Sequence, residues 1–136
     1  MNSNRDFGFW LLQVPGWLLL AYLILTLLVP PPVLAGEADV LSVEAICQSD
    51  STCDFNVTVQ HADDGWDHFA NRWEVRTPDG KRLAIRELAH PHVDEQPFTR
   101  SLRNVRIPDG VTEVIVRARD SVHGYGGKEI TVVIRP

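Results

Sequence analysis

From residue 38 onward apolar side chains recur at every second position, a period that suits strands and not helices. Asp54-Phe55-Asn56-Val57-Thr58-Val59-Gln60-His61 sets the pattern, with Phe55, Val57 and Val59 on one face. Asn71 to Thr77 repeats it, with Trp73 and Val75 inward and Arg72, Glu74 and Arg76 outward. Arg82 to Leu88 returns with Leu83 and Ile85 inward. Val114, Val116 and Ala118 alternate with Ile115, Arg117 and Arg119, and Ile130, Val132 and Ile134 form the last run. Pro78-Asp79-Gly80 and Pro108-Asp109-Gly110 punctuate these runs, because proline presets φ and glycine accepts φ > 0. In Phe98 to Ile107 the phase changes between Leu102 and Val105, which predicts a bulge. Val40 to Ile46 stands in front of them all.

About seven short strands and no helical pattern predict an antiparallel β-sandwich, with a small barrel as the alternative. The strand pattern resembles immunoglobulin-like or fibronectin type III-like exported domains. The resemblance lies in that pattern alone, so it implies a fold and leaves function open. No Ser/His/Asp elbow, P-loop or dinucleotide-binding glycine pattern is present.

Residues 1–35 are a different kind of polymer, preceding an exported domain of residues 36–136. Trp17 to Val29 is an uncharged apolar run, followed by Pro30-Pro31-Pro32-Val33-Leu34-Ala35. An N-terminal hydrophobic helix is expected here, serving as a signal peptide cleaved after Ala35 or as an uncleaved membrane anchor over residues 7–29. Either reading exports the remainder to the periplasm or another extracytoplasmic space. Membrane contact is then expected only through residues 7–29, and only if they are retained.

The formal net charge is −5, and Arg5 and Asp6 cancel, so residues 36–136 carry the whole of it. A nucleic-acid partner would call for a basic face, and none is evident. Cys47 and Cys53 are the only cysteines, and in an oxidising compartment a structural disulfide closing their short loop is the expected state.

Antiparallel counting sends the 47–53, 77–81 and 107–111 connections to one end and the 61–69, 89–96 and 120–128 loops to the other. All five histidines, His61, His68, His90, His92 and His123, fall in or beside the second set. Imidazole is the commonest neutral metal ligand, so this rim is expected to bind a divalent ion, copper or zinc. His61, His90 and His123 are the first-choice ligands, one per loop, with His68 and His92 in reserve. Asp64, Asp67, Asp94 and Asp120 are expected to orient the rings. Met1 is the only methionine, which argues against soft thioether ligation. The alternative is a non-catalytic accessory module that docks an exported or membrane protein through Trp66, Tyr125 and Phe98. An enzymatic role is the weaker expectation, since no catalytic motif accompanies the histidines.

Overall fold

A computed structural model describes residues 36–134 of the chain. The signal or anchor reading of residues 1–35, with its helix, lies outside the described residues. Seven strands follow one another: β1 (Asp39–Cys47), β2 (Thr52–Gln60), β3 (Ala70–Arg76), β4 (Arg82–Glu87), β5 (Phe98–Arg106), β6 (Glu113–Asp120) and β7 (Ile130–Val133). They form two antiparallel sheets, of order β1-β2-β5 and β4-β3-β6-β7. No helix occurs among the described residues, and none there is long and apolar enough to cross a membrane.

The alternation read from the sequence builds the core. Phe55, Val57 and Val59 from one sheet meet Trp73, Val75, Val114 and Val116 from the other, all fully buried. Apolar area removed from water in this way is the main force joining the two sheets. The bulge falls where the phase changes: Phe55 pairs with Leu102 but Cys53 with Val105, so β5 carries one extra residue. Asn104 absorbs it at φ 57, and its N–H donates to Asp54 Oδ1 at 2.9 Å. Gly80 and Gly110 adopt φ of 94 and 81 in the two Pro-Asp-Gly turns.

Three inward assignments need correction. Ile130 and Val132 are only half-buried, because β7 ends its sheet and has no strand on its far side. Ile85 lies opposite Glu74 and so shares the outer face of the sheet. A shift in pairing between Val75 and Arg76 puts Ala84 opposite Val75, and Ala84 packs on the core with Leu83. Glu74 does occupy the outer face, yet it is only 3% exposed. Arg117 Nε and Tyr125 OH each donate to its carboxylate at 2.8 Å and cover it.

Cys47 and Cys53 are joined, with an S–S distance of 2.09 Å. The bridge closes the β1–β2 turn, at the end shared by the β3–β4 and β5–β6 turns. The β2–β3, β4–β5 and β6–β7 loops, with the start of β1, form the opposite end.

Candidate metal centre

His61 follows β2 directly, and its position continues the inward alternation of Phe55, Val57 and Val59. Its ring is therefore driven into the top of the core, where it is 3% exposed. Asp63 continues the same parity. Its Oδ1 receives His61 Nδ1 at 2.6 Å and the Ala70 N–H at 2.9 Å, and its Oδ2 receives the His92 N–H at 2.6 Å. One buried carboxylate thus fixes the His61 ring, the start of β3 and the β4–β5 loop together. The second ring nitrogen of His61, Nε2, lies 2.9 Å from the carbonyl oxygen of Gly36.

A second buried carboxylate ends β6. Asp120 Oδ1 accepts the N–H groups of Val122 at 2.8 Å and His123 at 2.6 Å, which shapes the turn that follows. Burial works to raise this carboxyl, yet those two N–H groups and the imidazoles of His123 and His61 hold it below the usual aspartate range. The group stays an anion, suited to a cation beside it.

His68 completes the cluster. Ligand atoms of His61, His68 and Asp120 lie within 4.8 Å of one another. The His68 ring packs edge-on against His61 on one side and His123 on the other, with centroids 4.8 and 4.9 Å apart. His68 Nε2 is 3.2 Å from Asp120 Oδ1 but off the hydrogen-bonding direction. That nitrogen and, separately, the other oxygen of the carboxylate, Asp120 Oδ2, are buried without a hydrogen-bond partner. Leaving such atoms unpaired is costly. An ion between them would satisfy both. Two ligands at ~2.0–2.1 Å from one ion stand no more than about 4 Å apart, so the group must contract by under ~1 Å to close on zinc or copper. Half-buried His68, on a loop, is the member free to move.

The structure divides the five histidines. His61 and His68 join Asp120, and His123 sits at the margin, with Nδ1 3.2 Å from Asp120 Oδ1 and its side chain 41% exposed. His90 and His92 form a separate pair, ring centroids 4.6 Å apart, with His92 stacked on Phe98 at 3.9 Å. His92 is held below the ordinary histidine value, first by burial and then by the charges of Arg100 and His90. His90 is exposed, and its Nδ1 is 3.1 Å from the neighbouring Pro91 carbonyl. Asp120 belongs inside the cluster and not behind it, whereas Asp64, Asp67 and Asp94 are exposed side chains. Asp63 takes the orienting part expected of Asp64. Its alternation with His61 was the signal for it.

Of the aromatics expected to contact a partner, Trp66 is 69% exposed and Phe98 is in the core. Tyr125 is bound to Glu74 and lies under the Arg117 guanidinium, 3.9 Å from its ring centroid. Burial and the Glu74 carboxylate together raise its hydroxyl above the ordinary tyrosine range.

No family model matches the chain, and no solved structure matches it. A protein of Halomicrobium mukohataei, named as a candidate lipoprotein, is 44% identical to it over 96 residues. Those residues are 71% of this chain and 47% of that protein, so the chain spans about half the length of the relative it matches.

Proposed function

We propose that residues 36–136 are an exported, membrane-tethered sandwich domain, immunoglobulin-like in its strand order, that binds one divalent transition-metal ion at its loop end. The carrying observation is the pair of buried, unpartnered atoms, His68 Nε2 and Asp120 Oδ2, beside the His61 ring that Asp63 orients. A carboxylate behind a ligating histidine fixes its ring and strengthens it as a donor, and His61 would ligate through Nε2 by giving up that nitrogen's proton and its contact with the Gly36 carbonyl. Two imidazoles and a carboxylate suit zinc(II) or copper(II), and they leave a coordination position open. His123 is placed to supply a fourth ligand.

Export is supported by the closed disulfide and by the lipoprotein name of the relative. A lipid carried on a thiol is not available to this domain, since its two cysteines bond to each other. The apolar run Trp17–Val29 is a feature that would hold the chain at a bilayer.

The test is calorimetric titration of the chelator-stripped full chain in detergent with zinc(II) and copper(II). One ion per chain should bind, and His68→Ala or Asp120→Asn should weaken it at least tenfold while the unfolding transition survives. A wild-type chain that takes up neither ion at micromolar concentration sinks the reading.

A further inference from the structure

The outer face of the four-stranded sheet carries an arrangement that sheets ordinarily avoid. Cross-strand pairing sets Arg72 opposite Arg119 and Arg76 opposite Arg82, and like charges in direct opposition cost stability. Arg117 is a fifth arginine on this face, in a domain whose formal net charge is −5.

The carboxylates nearby do not balance them. Glu74 is 3% exposed and already receives Arg117 and Tyr125. Glu129 meets Arg76 at 3.2 Å, while Glu87 only approaches Arg72 at 3.8 Å. Arg82 stands 4.0 Å from Glu74, and Arg119 donates to a neutral group, Asn71 Oδ1, at 3.2 Å. Arg72 and Arg119 are thus the pair least neutralised. Half-buried Ile85 and Ile115 and the ring of Tyr125 share the face with the guanidinium groups. Arginine and tyrosine are enriched where proteins meet, and a guanidinium pairs with a carboxylate through two parallel bonds. The face suits an acidic protein surface.

This chain itself presents such a surface. Asp64-Gly65-Trp66-Asp67 is the tip of the β2–β3 loop, with both aspartates exposed and Trp66 69% exposed. The tip is firmly held. Gly65 turns the chain at φ 78, the Asp64 N–H donates to the His68 carbonyl at 2.8 Å, and Phe69 braces the indole with ring centroids 5.8 Å apart. The Phe69 N–H donates in turn to Ser121 Oγ at 3.1 Å. A surface presented this rigidly loses little conformational freedom when it is covered. An indole between two carboxylates complements paired arginines, since its ring face attracts one guanidinium and the carboxylates pair with the others. Trp66 stands in solvent and not on the arginine face of its own sheet, so the match is made between molecules.

We infer that two copies of this chain associate tip to face, with Asp64, Trp66 and Asp67 of one copy seated on Arg72 and Arg119 of the other. The contact joins unlike surfaces, and every copy carries both. It needs neither the metal nor a membrane.

The test is sedimentation of the full chain in a non-ionic detergent at low and at high salt. Wild type should associate at low salt and come apart at high salt. Trp66→Ala and Arg72→Gln/Arg119→Gln should each weaken association tenfold or more, with the unfolding transition retained because all three positions lie at the surface. Mixed together, the two variants should associate again as one copy of each, since one keeps the face and the other keeps the tip. If the arginine variant does not fold, Asp64→Asn/Asp67→Asn removes the complementary charge from exposed positions and should weaken association likewise. A wild-type chain that stays single at low salt overturns the inference and leaves the arginine face to a different acidic protein. Association that survives Trp66→Ala undiminished, or folded variants that stay apart when mixed, overturns it as well.

Discussion

The two ends of this sandwich are held by different means. At the turn end each connection carries short-range bonds of its own, with the Ile107 N–H to Ser51 carbonyl bond at 2.9 Å joining two of them. Thr77 Oγ1 receives the Lys81 N–H at 3.1 Å, Asp50 Oδ1 receives the Thr52 N–H at 3.1 Å, and the disulfide spans a separation of 6 residues. At the loop end the bonds are long-range and pass through two buried carboxylates. Asp63 joins residues 7 and 29 positions away, and His61 reaches back 25 to Gly36. Three buried polar atoms at that end, on His68, His92 and Asp120, have no hydrogen-bond partner. Buried Nε atoms of Arg72, Trp73 (Nε1), Arg76 and Arg86 are also without partners, but among the described residues only at the loop end do an imidazole nitrogen and a carboxylate oxygen left in that state lie in one cluster.

The largest effect should come from Asp63. Replacing it with alanine strands the Ala70 and His92 N–H groups and frees the His61 ring, at a cost of roughly 3 kcal/mol or more. Asp64→Ala, one residue away and exposed, should stay within about 0.5 kcal/mol. Urea unfolding of the two variants reads the contrast directly. Equal effects would break the view that one carboxylate holds the loop end.

The turn end supplies the matching experiment. Removing the bridge by Cys47→Ala/Cys53→Ala frees only a short loop in the unfolded chain, which chain-entropy reasoning puts at about 2 kcal/mol. Metal affinity should not change, since the bridge and the histidines occupy opposite ends. An altered zinc or copper titration would mean that the ends communicate.

Most of the fold was legible because a strand's period of two is a local property. The burial of Phe55, Trp73 and Val114 followed from their neighbours in sequence, and the bulge before Val105 from a slip in phase. Glu74 was not legible, because its cover comes from Tyr125, 51 residues away, and Arg117, 43 away. The half-exposure of Ile130 and Val132 depends on β7 being an edge, which strand order decides and residue pattern does not. The site divided in the same way. Direction alone brought the histidine loops to one end, and the parity of β2 turned His61 inward. Which rings then meet depends on loop conformations fixed by Asp63 and Asp120, and sequence spacing carries no record of those bonds.

A smaller effect should follow pH in metal-free protein. His92 is held below the ordinary value of ~6.5, so above that pH neither the folded nor the unfolded chain binds its proton and its full contribution is present. As pH falls below ~6.5 the unfolded chain takes up a proton that the folded one refuses, and stability declines until the depressed folded value is passed. Glu95 and Asp63 pull the other way but are outweighed by burial, Arg100 and His90. Thermal unfolding between pH 7 and 5 should therefore be flatter in His92→Gln than in wild type. An unchanged slope would show that His92 does not carry this pH dependence.

The smallest effect tests where the site ends. His90 was a first-choice ligand alongside His61 and His123, one per loop, yet it is exposed and packs beside His92 instead of the cluster. His90→Ala should leave stability within about 0.5 kcal/mol. It should also leave the stoichiometry and affinity for zinc(II) or copper(II) unaltered, in contrast to the tenfold or greater loss expected for His68→Ala. The two variants share a residue type and an end of the molecule, and differ in whether a buried ring nitrogen faces Asp120. If His90→Ala weakens the metal as much as His68→Ala, the β4–β5 loop must swing over to complete the coordination. The boundary between the two histidine groups would then be a feature of the metal-free state alone.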